Sequence, residues 1–594
     1  MTMSTAMGAP RKTRRWILIG VVSLGLLVLV FAGWVGFRIW SVKVELDGLI
    51  PVAQQAREAI ESGDLGRLAS VTDDLSAGAD RAAGATSDPA WRVAEAIPGI
   101  GSNLVAVRVV AEELGDISGA APGVLTAAET LARRAPGTLV DTAALAAGEA
   151  QLAESARALA SSAKALHALD VDSLVSPVAK GVTQVRDAVD ALAPVAETAA
   201  GAARVLPTAL GGDGPRSILL LVQNPAELRT GGGISGSFVE LRAEDGRLTL
   251  VDQADSSEFP RRETPIVAVA QPTTALYGDG VGRYVQNASM TPDFAVSGQL
   301  ASAWWASLTG HTPDMVIAVD PYVLQALLSV TGPVALPSGQ VLDAGNVLDA
   351  LLVQPYLSMS SDDQTELFSA AVEAVFGRIS DGTLDALALL SAVEEPAAEG
   401  RISVWSAHAD EQAVFAGSPI GGATARQRAA GAGAFAVYFN DATGGKMASY
   451  LDVAIESSTV DCRSDDLAEV AVTVTMGSHA PVDVGSLPVS VTGGGLFGVG
   501  AGDIGTNVTV VAPEGSFVGG VVVKDEPYPA ATAISEGRAA STARVNLSPD
   551  EVNVLEFHFL IPRGDSDAQA IVHTPLMNPP QVRVGEGCGA GVSP

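Results

Sequence analysis

The chain has 594 residues, 47 % of them hydrophobic and 17 % charged, with 67 acidic against 36 basic side chains and a formal net charge of −31. That length allows about three to five domains, and the apolar content excludes a disordered polyelectrolyte. The acidity argues against nucleic acid as a partner, because phosphate binding needs a basic surface; an acidic surface instead keeps an Ala- and Gly-rich chain soluble.

The first fifteen residues carry Arg11, Lys12, Arg14 and Arg15 and no acid. The run "WILIGVVSLGLLVLVFAGWVGFRIW" follows at 16–40, uncharged until Arg38. About twenty apolar residues span a bilayer core, and Trp16, Trp34 and Trp40 suit its interfaces. A cleavable signal peptide is the rival reading, but the run exceeds its usual apolar length of about 7–15 residues and no small-residue cleavage site follows. We therefore expect an uncleaved single-pass anchor, residues 1–15 in the cytoplasm and the bulk of the chain outside the cell membrane.

Residues 41–210 read as an extracytoplasmic helical bundle or stalk. Leu152, Ala156, Leu159, Ala163 and Leu166 step by four and three, as do Val178, Val182, Val185, Val189 and Leu192. Such stripes mark helices packed on helices, and they permit a homodimer through the stalk. "GATSDPAW", "IPGIGSN" and "RRAPGT" divide the region. Residues 217–445 then mix strands and helices, the mark of an α/β domain. "SILLLVQ" is a buried strand, Asp245-Gly246 turns a hairpin, and 297–309, 343–353 and 362–379 are helices. "MVIAVD" is a strand leading into "PYVLQALLSVTG", a helix with Pro at its start and Gly at its end. From 446 to 594 short strands such as "LAEVAVTVTM" and "VNVLEFHFLIP" read as an all-β sandwich. The only cysteines, Cys462 and Cys588, both fall here. In an exported chain they read as a disulfide; two unrelated thiols is the alternative.

One stretch carries candidate chemistry. In "QNPAELRTGGGISG", Glu227 and Arg229 stand two apart beside Gly231–Gly233, where glycine permits positive φ and a close approach to a ligand. Arg229 can contact a phosphate or carboxylate in bidentate fashion. The competing reading is an ion-paired turn. "EFPRRE" adds Arg261 and Arg262, and "GDGVGRYVQNASMTPDF" adds Arg283, Tyr284, Asn287 and Ser289. The candidate ligand-binding residues are Asn224, Glu227, Arg229, Arg261, Arg262, Arg283 and Asn287, with the four arginines and Asn287 placed in the sequence so that they can converge on one cleft at the strand ends; Tyr284 and Ser289 could add neutral hydrogen bonds. The six histidines are scattered without zinc spacing, and no nucleophile elbow or Walker loop occurs.

The segments "LLLVQNPAELRTGGGISGSF", "NASMTPDF", "DMVIAVDPYVLQALLSVTGPV" and "YFNDATGGKMASYLD" resemble the domain of unknown function 4012 family, known mostly from actinobacteria and often beside envelope-polysaccharide genes. The resemblance covers about 217–455. A fainter one, in the order of elements, is to the LytR-CpsA-Psr family, which transfers glycopolymers from polyprenyl-pyrophosphate carriers to peptidoglycan. Asn224 stands where that family has a strand-end Asp. Arg229, Gly236 and Ser237 stand near its Arg-Ser turn, Pro260-Arg261 and Asn287-Ala288 match two further segments, and Gly332-Pro333-Val334 is similar to its Gly-Gly-Val turn. There are two departures. The stretch expected to supply pocket arginines has no Lys or Arg between Leu351 and Arg378, and the amide of Asn224 binds a hard cation less well than a carboxylate.

Three functions follow as expectations. The first is a membrane-anchored binder of an envelope polysaccharide or its lipid-linked precursor, assisting attachment or export, with no cofactor. The second is a LytR-CpsA-Psr-type phosphotransferase, which would need Mg²⁺ held by residues such as Asn224 and Asp293. The third is a non-catalytic envelope scaffold.

Overall fold

The computed structural model describes residues 65–132, 137–380 and 386–589, with scattered positions between 30 and 55. The basic tail at 1–15 lies outside the described residues, as does most of the expected anchor at 16–40. No helix among the described residues is long and apolar enough to cross a membrane. Two compact units form, one from 1–133 with 144–204, the other from 134–143 with 205–594.

The first unit is helical. Leu65–Thr86 is followed by Pro89–Ala94, which starts on a proline with the Asp88 carboxylate accepting the Ala90 N–H at 2.8 Å; a proline there forfeits no bond, because that N–H is unpaired in any helix. Trp91 is fully buried and donates through Nε1 to the Leu104 carbonyl. Gly101–Ala132, Thr142–His167 and Ser176–Ala209 supply the longer helices. Ala106, Val110, Leu166, Val182 and Val189 form one buried cluster, and Ala120, Ala156, Leu159 and Ala196 another. Small side chains set the spacing: a Cβ on Gly123 would stand 2.3 Å from the Ser155 hydroxyl, which itself donates to the Ala120 carbonyl at 2.7 Å. The expected stripe fails at one end, where Leu192 is 42 % exposed and Ala193 and Ala196 take its place in the seam. A straight helix drifts about 20° per heptad against a 3.5-residue repeat, so the contact line moves off a strict a/d register.

The second unit begins with a five-stranded mixed sheet: β1 (Arg216–Asn224), β2 (Ile234–Glu244), β3 (Arg247–Asp255), β4 (Met315–Val319) and, after a short hairpin of β5 (Val334–Ala335) and β6 (Val341–Leu342), β7 (Ser403–Ser406). The order is β3-β2-β1-β4-β7, parallel only between β1 and β4. Asp245 and Gly246 turn β2 into β3 with φ of 51° and 75°, as a two-residue hairpin requires. Asp293 caps the helix Phe294–Thr309, whose Trp304 and Trp305 pack with Leu219, Leu221, Phe238 and Phe259. Asp320 caps Pro321–Thr331. It also holds Arg401 at 2.8 Å in a buried ion pair, with the guanidinium 3.7 Å from the Tyr322 ring and donating to the Leu576 carbonyl.

Just before the boundary expected at 445, the chain already joins the C-terminal strands. β8 (Ala434–Asp441) lies inside the C-terminal β-rich region, between β11 and β17. Its apolar run is buried on both faces: Phe435, Val437 and Phe439 enter the C-terminal core, while Ala436 and Tyr438 pack with Leu276, Tyr277, Met290 and Leu300 of the central domain. A strand covered on both sides carries no alternation to read in the sequence.

The remaining strands are β9 (Leu451–Cys462), β10 (Leu467–Ser478), β11 (Ile504–Glu514), β12 (Phe517–Val523), β13 (Glu526–Pro527), β14 (Ala531–Ser535), β15 (Arg538–Leu547), β16 (Val552–Pro562), β17 (Ala570–His573) and β18 (Gln581–Val584). They form sheets ordered β13-β12-β16-β10-β9-β18 and β14-β15-β11-β8-β17. Val470, Val472, Phe557 and Phe559 of the first meet Phe435, Val508 and Val510 of the second in one core.

Cys462 at the end of β9 and Cys588 beyond β18 are disulfide-bonded across 126 residues of sequence. Closing so long a loop removes much of the unfolded chain's freedom. Replacing both cysteines by alanine is expected to destabilise the C-terminal region by about 2–5 kcal/mol. Thermal melts of the two proteins with and without reductant check this; reductant lowers only the wild-type midpoint.

Candidate functional site

The glycine-rich stretch closes on itself before it reaches any ligand. Beyond β1 the Asn224 side chain accepts the Ala226 N–H at 2.9 Å, an Asx turn that redirects the chain, and donates to the Tyr356 hydroxyl at 2.6 Å. Ile234 N–H returns to the Glu227 carbonyl at 2.9 Å, closing the loop. Two of the three glycines answer steric demands of this turn: Gly232 sits at φ 123°, and a Cβ on Gly233 would lie 2.2 Å from the Asn224 carbonyl oxygen.

Arg229 is buried within that loop. Its Nη1 donates to the Leu228 carbonyl at 2.8 Å, and Nη2 to Glu227 Oε1 at 3.0 Å. Nε and Nη2 both reach Asn287 Oδ1, at 3.2 and 3.1 Å. The second Glu227 oxygen faces Lys446 Nζ at 3.6 Å, and that ammonium lies 4.5 Å from the centre of the Tyr356 ring. Burial pushes the Tyr356 hydroxyl well above its ordinary value. Burial and the nearby Glu227 carboxylate push Asp441 up to about 6, although its carboxylate accepts the Thr443 and Gly444 N–H groups.

The same loop is joined to the end of β8. Asp441 N–H donates to the Leu228 carbonyl at 2.8 Å, Thr230 N–H to Asn440 Oδ1 at 3.0 Å, and Asn440 Nδ2 back to the Thr230 hydroxyl at 2.9 Å. Ala448 N–H reaches the Ala226 carbonyl at 3.1 Å.

Residues 213–356 match the family described as "Protein of unknown function (DUF4012)". The chain carries a DUF4012 domain. No curated protein and no solved structure matches the chain. The match spans the Glu227–Arg229 loop and Asn287 and ends on Tyr356, while Asn440, Asp441 and Lys446 lie beyond it.

The structure bonds Glu227, Arg229 and Asn287 directly to one another and links Asn224 to them through Tyr356 and Lys446, while the contacts of Arg261, Arg262 and Arg283 lie with other groups. Arg261 lies 5.5 Å from the centre of the Tyr284 ring, and Arg283 pairs with Asp279 and donates to the Arg262 carbonyl at 3.2 Å. No hydrogen bond or ion pair among the described residues joins these three side chains to Arg229. Asn224 and Asp293, the weak metal candidates, are committed to a turn and a helix cap. No group of three or more His, Cys, Asp or Glu among the described residues stands placed to share a metal ion. Sequence reasoning missed Tyr356, Asn440, Asp441 and Lys446. The segment "YFNDATGGKMASYLD" was in view, but nothing in its spacing ties Lys446 to a carboxylate 219 residues earlier.

Removing one member of a buried pair leaves an uncompensated charge, at a cost of about 3–5 kcal/mol. Arg229→Ala is expected to destabilise the second unit by that amount, and adding Glu227→Gln to recover part of it. Urea unfolding of the single and double variants measures both. Asp441 is raised from an ordinary 3.8 to about 6. Between those values the native state holds a proton that the unfolded chain has released, so stability falls as pH rises through the window. Asp441→Asn is expected to flatten this dependence while keeping an acceptor for Thr443 and Gly444, which denaturation midpoints at pH 4.5 and 7 test.

Proposed function

We propose that the protein is a single-pass, extracytoplasmic component of the cell envelope whose DUF4012 domain serves as part of a scaffold. The carrying observation is the Arg229 cluster. Its charges are matched within the protein by Glu227, Asn287 and Lys446, and its loop is bonded to the C-terminal strands. A phosphate-holding arginine needs donors left over for its ligand. The basic lead and apolar run at the N-terminus support the anchor, and the disulfide supports a location outside the reducing cytoplasm.

The sequence likeness between Asn224 and Val334 is the ground for a LytR-CpsA-Psr-like ancestry of the mixed sheet, and the two β-sheets packed on one core fit a sandwich. Phosphotransfer is disfavoured by the neutral Asn224 bound to Tyr356. A second reading, a binder of envelope polysaccharide or its lipid-linked precursor, draws on the exposed Arg261 and Arg262 beside Tyr284.

The test is polyprenyl-pyrophosphate binding to the purified full-length chain, with and without Mg²⁺. The scaffold reading expects no saturable binding, and an Arg229→Ala protein that loses stability alone. Saturable, Mg²⁺-dependent binding abolished in that variant overturns it. A C-terminal alkaline phosphatase fusion, expected to be active in intact cells, tests the orientation.

A further inference from the structure

A cleft of about 270 Å³ is walled by the Gln271–Tyr277 helix, the start of Phe294–Thr309, the Ala423–Ala429 helix and the β14–β15 hairpin. The hairpin turns at Glu536–Gly537 with φ of 52° and 76°, and Glu536 is ion-paired with Arg428, which ties its tip to the opposite helix. None of the arginines singled out from the sequence lines this cleft.

The wall carries one cation and two carboxylates. Arg538 is the cation, half-buried and opposite Glu514 in the β11–β15 ladder, and its side chain makes no hydrogen bond or ion pair among the described residues. The two acids of the lining are occupied, Glu536 by Arg428 and Asp293 by the Ala295 N–H it caps. Behind the wall Tyr438 packs with the lining residues Leu276 and Val511, and its buried hydroxyl has no partner among the described residues. Both Nη atoms of buried Arg426 likewise lack one. Burial holds the Tyr438 hydroxyl well above its ordinary value, against the opposing electrostatic pull of Arg426 and Arg538. Arg538 lines the cleft with its donors unspent, so an anion there would gain a charge-assisted hydrogen bond. The remaining polar groups suit hydroxyls: Thr291, Thr424 and Ser535 line the cleft with side-chain hydroxyls unbonded among the described residues.

We propose that this cleft binds a compact, hydroxylated anion of the size of a sugar phosphate or sugar acid, with Arg538 holding the anionic group and Thr424 a hydroxyl. Its volume sits just below the usual range of about 300–1,000 Å³ for ligand pockets, which suits one ring and not a polymer. The site shares no residue with the Arg229 cluster, so it stands or falls independently of the scaffold reading.

Titration calorimetry of the purified full-length chain with glucose 6-phosphate, glucuronate, inorganic phosphate and glucose decides the matter. Saturable binding of at least one sugar anion is expected, the tighter of the two showing whether phosphate or carboxylate is preferred, with no binding of neutral glucose. Arg538→Gln should weaken it about tenfold or more, as loss of a charge-assisted bond does, and Arg538→Lys should restore part of it. Thr424→Val should weaken the sugar anion and leave inorganic phosphate unchanged. Melting midpoints should match wild type, because neither side chain has a partner to lose. Absence of saturable binding to both sugar anions overturns the proposal. So does affinity unchanged in Arg538→Gln, or inorganic phosphate binding as tightly as the sugars.

Discussion

The guanidinium of Arg229 is the constraint around which the second unit is arranged. Its nitrogens are all engaged inside the protein, by Asn287, Leu228 and Glu227. A charge buried this deeply is tolerable only when paired and hydrogen-bonded. That requirement fixes the path of the loop from Asn224 to Ile234, hence the glycine at positive φ and the glycine whose Cβ would strike the Asn224 carbonyl. The loop so shaped then presents the backbone groups of Leu228 and Thr230 to the end of β8, and that of Ala226 to the segment that follows it.

β8 carries that constraint into the C-terminal strands. One face contributes Phe435, Val437 and Phe439 to the core between the two β-sheets, and the other contributes Ala436 and Tyr438 to the packing against the central helices. Such a strand cannot shift register by one residue without exchanging the two sets. The Asp320–Arg401 pair, reaching the carbonyl of Leu576, fastens the same regions from another direction. Central and C-terminal segments therefore form one compact unit, although their secondary structure differs in kind.

The arginines of this unit divide by their surroundings. Arg229 and Arg401 are buried and matched by carboxylates, which makes them structural cations. Arg538 stands in a cleft wall without a partner among the described residues, and Arg426 is buried behind it in the same condition. Motif density points to Arg229, whereas only the spatial arrangement sets Arg538 and Arg426 apart.

Much of the architecture follows from local sequence. The helical stripes through Leu152 and Val182, the Asp245-Gly246 hairpin, the helix opening at Pro321 and the strands β10 and β16 are all set by period, turn chemistry and capping, which depend on residues a few positions apart. The glycines, Glu227, Arg229 and Asn287 were legible as a candidate cluster for the same reason, since they stand in short polar stretches between apolar runs. Three things needed the tertiary structure: the assignment of β8, the pairing of Glu227 with Lys446, and the isolation of Arg538. Each depends on which distant segment lies across from a side chain. Whether a charge is matched is a property of distances of a few ångströms in space, and no periodicity along the chain encodes a contact between residues 227 and 446.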